Sequence, residues 1–153
     1  MENQETANER SPRLLETPVA IRFASYEPPL GPVNLARYVA TGFEHDQRLL
    51  HWVIAGGESG PDARPSHPNW FRSARDQRQA AGAAFFLKQW GEWTSYSGDY
   101  TDLHLSSARP AHRIMNGQFI ERAGRKRSSR LLDGREWNEF PKDSAPFWPA
   151  DMS

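Results

Sequence analysis

His51-Trp52-Val53-Ile54-Ala55-Gly56-Gly57-Glu58-Ser59-Gly60 is the stretch that decides the fold. Its apolar run has no polar alternation, the pattern of a strand buried on both faces, as in parallel sheets covered on each side. The run stops on paired glycines, an acid and a serine, so polar chemistry starts where the strand ends. Upstream, Val19-Ala20-Ile21-Arg22-Phe23-Ala24-Ser25 leads in the same way into Tyr26-Glu27-Pro28. Downstream, Ala83-Ala84-Phe85-Phe86-Leu87 leads into Lys88-Gln89-Trp90. Between the second and third runs the spacing predicts a helix over about 68–81, with Trp70, Phe71, Ala74, Gln77 and Ala81 near one face. Pro68 suits its first turn and Gly82 the left-handed position after its last. Asn34 to Leu50 forms the earlier crossover, with Leu35, Tyr38 and Val39 at helical spacing. The order strand–helix–strand–helix–strand predicts an α/β fold with a small parallel sheet and right-handed crossovers.

The flanks are simpler. Residues 2–16 read as a short amphipathic helix, interrupted at Pro12 and ended by Thr17-Pro18, because a residue before proline avoids the helical region. After Trp93, the Ser-, Asp- and Tyr-rich residues 94–112 read as a surface loop. Asn116-Gly117 between apolar pairs is a strong hairpin signal. Leu131 to Trp137 and Phe140-Pro141 form a compact closing segment, and the last ten residues are expected to fray. Residues 1–93 are therefore expected to form the α/β unit, and 94–153 a loop, hairpin and closing segment packed on the same domain.

The 153 residues balance 19 Lys and Arg against 19 Asp and Glu, so no net field steers the molecule onto nucleic acid or an anionic membrane. No apolar run reaches the ~20 residues of a membrane helix, and the polar, acidic start Met1-Glu2-Asn3-Gln4-Glu5 is unlike a secretory signal. The expected location is the cytoplasm, with no membrane partner. The sequence contains no cysteine, which excludes disulfides, a thiolate nucleophile and a Cys-ligated metal centre in these residues. The five histidines, at 45, 51, 67, 104 and 112, have no metal-ligand spacing.

Carboxyl ends of parallel strands form the face that holds ligands. The candidate ligand-binding residues are therefore Glu27, Gly56, Gly57, Glu58, Ser59, Arg64, Lys88 and Gln89. The paired glycines let a ligand approach the backbone, and their amides with Ser59 suit an anion. If Glu27 and Glu58 converge, they could divide acid and base duties, hold a hard cation, or bind an amine or hydroxyls. Each could equally cap a loop or pair with Arg64. Lys88 leaves an apolar strand, so its stem is expected to be buried and Glu58 is its expected partner. Arg64 and His67 precede the helix whose amino end favours an anion. Arg122, Arg125, Lys126, Arg127 and Arg130 form a basic turn, a surface loop that could also touch phosphates.

Phe23 to Pro32, Trp52 to Gly60, Ala63-Arg64-Pro65, His67 to Trp70, Phe85 to Trp93 and Leu131 to Arg135 closely resemble one group in order. It is the phage- and prophage-encoded three-cysteine-motif family, a domain of unknown function similar to radical S-adenosylmethionine enzymes. The resemblance covers most of residues 2–141 and corresponds to the family's C-terminal part, without the N-terminal cysteine cluster. It implies a partial, half TIM-like barrel with a C-terminal β-hairpin appendage. Full-length relatives would use S-adenosylmethionine and a [4Fe–4S] centre, which implies no cofactor in this chain. A half-barrel exposes a sheet edge that invites pairing, so a protein partner or self-association is expected.

The first expectation is thus a truncated radical-SAM-like protein that binds a ligand or partner and is not an enzyme on its own. A second is a phage accessory protein that inhibits a host protein or nucleic-acid complex through the basic turn or the edge. A third is a cofactor-independent enzyme using Glu27, Glu58 and Lys88.

Overall fold

The computed structural model describes residues 1–38, 49–95 and 112–141. The expected loop beyond residue 95, Val39 and the last ten residues lie outside the described residues. Helix α1 (Gln4–Glu16) leads into strand β1 (Phe23–Tyr26), a 3-10 turn (Ala36–Tyr38), β2 (Trp52–Gly56), α2 (Pro68–Ala80) and β3 (Ala84–Gln89). The short strands β4 (Trp93–Ser95), β5 (His112–Met115), β6 (Gln118–Arg122), β7 (Leu131–Leu132) and β8 (Arg135–Glu136) follow.

The decisive stretch is the middle strand of a three-stranded sheet ordered β1-β2-β3. Both pairings are parallel, Phe23 lying opposite Trp52 and Val53 opposite Phe85. Barrel closure is not seen among the described residues. The expected first strand is shortened: Val19 and Ile21 precede β1 and are 44% and 43% exposed.

Pro12 does not interrupt α1, contrary to expectation; the helix runs through it to Glu16. The amino end is fixed by a capping box, in which the Thr6 amide donates to the Asn3 side chain and the Asn3 amide to Thr6 Oγ1. Helix α2 starts as expected, with Pro68 in its first turn and the amide of Asn69 donating to Nδ1 of buried His67 (3.0 Å).

Only one face of the sheet enters the core. Ala24, Tyr26, Val53, Ala55, Phe85 and Leu87 pack with Ala7 of α1 and Phe71 and Ala74 of α2. Burying each large side chain among these stabilises the fold by roughly 1.5–3 kcal/mol. The alternate positions, Phe23, Trp52, Ile54 and Phe86, stay half-buried or exposed. Phe140 lies over part of that second face, 5.3 Å from the Trp52 ring and 5.7 Å from Phe86.

Beyond Trp93 the chain forms two antiparallel sheets, β4-β6-β5 and β7-β8. Asn116-Gly117 turns the β5–β6 hairpin, both residues having positive φ (43° and 78°). Asp133-Gly134 does the same between β7 and β8 (φ 55° and 80°). Leu132 and Trp137 join the central core, and the chain after Trp137 runs along β3. There the Leu87 amide donates to the Trp137 carbonyl (2.9 Å) and the Glu139 amide to that of Phe85 (3.2 Å). That edge of the sheet is therefore closed.

At the amino end of β2, the backbone amide of Arg22 donates to Nδ1 of His51 (3.0 Å), and the His51 amide returns a bond to the Arg22 carbonyl (2.9 Å). Burial, then repulsion from Arg22 and Arg78, holds the imidazole below its ordinary value of 6.5. A depressed histidine pKa means the unfolded chain binds the proton more readily. This contribution is whole above about pH 6.5 and is lost as pH falls toward the folded-state value. Urea unfolding between about pH 7 and pH 5 should show stability falling with acid, with a shallower slope in His51→Gln.

Candidate functional site

The carboxyl ends of β1, β2 and β3 share one rim, because the three strands run in the same direction. Two clusters form there. In the first, Ser25 Oγ donates to Glu27 Oε2 (3.0 Å) and Lys88 Nζ lies 3.4 Å from Glu27 Oε1. Strand alternation puts Ser25 and Lys88 on the half-exposed face, above Ile54 and Phe86. Gly56 explains how an acid from β1 reaches this place: a Cβ at Gly56 would overlap Glu27 Oε1, so the carboxylate lies directly against the β2 backbone.

The second cluster is the loop after β2. Arg64 grips Glu58 with Nε on Oε2 (3.0 Å) and Nη2 on Oε1 (2.9 Å), while the Arg64 amide also donates to Oε2 (2.7 Å). These hydrogen bonds hold the Glu58 carboxyl below the usual carboxylate range. Gln89 Nε2 donates to Ser59 Oγ (3.2 Å), Trp93 Nε1 to the Ala63 carbonyl (2.7 Å), and Arg122 Nη2 to the carbonyls of Gly60 (3.1 Å) and Pro61 (2.5 Å). Beneath it the two strand-end loops cross at contact distance. A Cβ at Gly57 would overlap the Trp90 carbonyl, and one at Gly91 would overlap the backbone of Glu58.

The expected pairing of Lys88 with Glu58 is therefore corrected. Arg64 offers Glu58 a bidentate match that an ammonium cannot, and Lys88 turns to Glu27 instead. Its buried stem is also corrected, since the Lys88 side chain is 55% exposed. The alternation that buries Leu87 against α2 sends Lys88 to the open side. An ion pair this exposed contributes about 0–1 kcal/mol, so a ligand or partner opens it at little cost. The five cations of the basic turn do not present one free patch. Arg122 and Glu92 (3.9 Å) tie β6 to the rim, Arg127 Nε donates to the Ala123 carbonyl (2.9 Å), and Arg130 Nη2 donates to the Leu87 carbonyl (3.3 Å) and to Asn138. Arg125 and Lys126 are exposed.

Sequence reasoning missed the open face itself: Trp52, Ile54 and Phe86 occupy alternate positions that a doubly buried strand would also hide. It missed Arg78, fully buried on the α2 face that carries Phe71 and Ala74. The signal was present, as 71, 74 and 78 follow helical spacing. Arg78 Nη2 donates to the Leu50 carbonyl (2.6 Å), and burial pushes the guanidinium down to about 10. A cavity of about 630 Å³ lies at the amino end of the sheet, lined by Leu50, His51, Gln79, Ala84, Glu139 and Phe140, away from the rim.

A family model for a protein of unknown function, DUF5131, matches residues 1–141. The chain belongs to DUF5131. No curated protein and no solved structure matches it. In this DUF5131 chain no group of three or more His, Asp or Glu among the described residues is placed to hold a metal ion. A [4Fe–4S] centre takes thiolate ligands, and these 153 residues have no cysteine to supply one. No described helix is long and apolar enough to cross a membrane.

Proposed function

We propose that this chain is a partner-binding module, one side of an incomplete β/α barrel whose open sheet face is covered by another polypeptide. Its origin, on this reading, is the phage three-cysteine-motif, radical-SAM-like group, and its residues act without that group's cluster. One observation supports the reading. All-parallel sheets occur almost only with both faces covered, yet here Trp52, Ile54 and Phe86, opposite the helix-covered side, are only partly buried, with Phe140 over part of them. Helices on one side and apolar side chains on the other match the outer and inner faces of a barrel wall. The Glu27–Lys88 pair stands at the end of the same face, so a partner seated there also borders the rim and any ligand it holds.

The hydrophobic dye anilinonaphthalene sulfonate tests this without knowledge of the partner. The native chain should bind the dye, and Ile54→Lys should abolish most of that signal while far-ultraviolet circular dichroism stays native. A native chain that leaves the dye dark would mean the face is already covered, and the proposal would fall.

A further inference from the structure

We propose that the cavity at the amino end of the sheet is a binding site for a small monocarboxylate with an apolar body. It lies at the opposite end of the strands from the Glu27–Lys88 rim and does not rest on the open-face reading. Its volume of about 630 Å³ falls within the range of roughly 300–1,000 Å³ typical of small-molecule sites. Leu49, Leu50, Phe140 and Pro141 give it apolar walls, and His51 and Glu139 are its ionisable lining residues.

Buried N–H groups beside this cavity lack acceptors. The Arg22 amide fills His51 Nδ1 (3.0 Å), so the proton of the neutral ring sits on Nε2, which donates to no described residue. Trp52 Nε1 and both Nε and Nη1 of Arg78 are buried without a hydrogen-bond partner. Trp52 lies between two residues of the wall, opposite Ala84 in register and with Phe140 over its ring. Arg78 stands behind two more. Its Nη2 donates to the Leu50 carbonyl (2.6 Å), and its own carbonyl accepts from the Ala83 amide (2.9 Å). Orphaned buried donors are rare, and a buried guanidinium with no carboxylate partner is costly. An anion in the cavity accepts from His51 and offsets the Arg78 charge across a wall one residue thick, where the low dielectric carries the field.

The remaining charges fix the ligand's sign. Glu139 is the one acid among the lining residues, and its charge is already met. Gln79 Nε2 donates to both its oxygens (2.9 Å each), the Phe85 amide to Oε2 (3.0 Å), and Arg135 lies 4.0 Å away. A cation would find Glu139 taken and would face Arg78. With one side-chain donor on a largely apolar wall, a single carboxylate fits, whereas a phosphate would leave most of its oxygens unpaired.

Calorimetric titration of the full-length chain with phenylacetate, phenylacetamide and benzylamine tests the site. Phenylacetate should bind saturably, and the neutral amide about 10–100-fold more weakly, the scale of a hydrogen bond to a charged group. Ala83→Leu, which fills the cavity, and His51→Phe, which removes the donor, should each weaken phenylacetate by about tenfold or more while circular dichroism stays native. Should His51→Phe fail to fold, histidine NMR of the native chain reads the same contact. The His51 titration midpoint should rise when phenylacetate is added, because a nearby anion favours the charged ring. Absence of saturable binding, or benzylamine binding more tightly than phenylacetate, would overturn the proposal. So would phenylacetate binding that is unchanged in Ala83→Leu and leaves the His51 midpoint where it was, since the ligand would then sit elsewhere.

Discussion

Gly57→Ala is expected to abolish the folded state. The added methyl would overlap the Trp90 carbonyl, a backbone atom with no rotamer to escape into. The Gly57 amide is meanwhile fixed by its bond to the Gln89 carbonyl (2.9 Å). Relieving the overlap means separating the loops after β2 and β3, which also breaks the bond from the Glu92 amide to the Glu58 carbonyl (2.8 Å). The cost should exceed about 4 kcal/mol, the range reached when a substitution attacks the framework itself. Against a typical total of about 5–15 kcal/mol, little folded protein would remain. Gly31→Ala serves as the control, because a Cβ there meets only Asn3 Cβ at 3.4 Å. Circular dichroism and thermal melting should separate the two. A cooperative melt for Gly57→Ala near that of the parent would show that the loops do not cross in this way.

Trp137→Ala should carry the next largest loss, about 3–5 kcal/mol, as expected when a large buried aromatic is truncated. The ring is 8% exposed and packs edge-on against Phe85 at 6.1 Å, while the Arg135 guanidinium lies 3.8 Å from its centroid. Its Nε1 donates to the Leu132 carbonyl (3.2 Å), so truncation also frees the β7–β8 hairpin. The closing segment would then release the β3 edge as well. For a chain of this size that loss corresponds to a melting point lower by roughly 6–20 °C. Phe140→Ala, at a residue 64% exposed, should move it by much less. Equal shifts would show that the closing segment is not anchored through Trp137.

Much of this was legible in the residues. His51 to Ala55 and Ala83 to Leu87 read as buried parallel strands because an apolar run without alternation has few other uses. Pro68 marked the start of α2. Asn116-Gly117 set one hairpin, and Asp133-Gly134 carried the same signal for the second without being used. The rim was legible as a place, since strand direction alone collects Glu27, Glu58 and Lys88. Arg64 stood among the alternatives for the acids and does take Glu58, but the expected Lys88–Glu58 pair failed, because pairing depends on which cation reaches first in space. Arg64 is six residues from Glu58 and closes a loop on it, whereas Lys88 is directed by the alternation of β3. The open face was hidden by the very run that revealed the sheet: Trp52, Ile54 and Phe86 look the same whether their cover comes from this chain or another. Pro12 misled for a local reason, as a helix with packed residues on both sides of a proline survives the loss of one bond.

Hydroxyl-radical footprinting of the dilute native chain, read residue by residue by mass spectrometry, tests the one-sided sheet most directly. Trp52 and Phe86 should be oxidised readily, while Phe71 and Phe85, both 0% exposed, stay protected until the protein unfolds. Trp52 and Phe86 protected as fully as Phe71 and Phe85 would contradict the account, because the second face of the sheet would then already be covered.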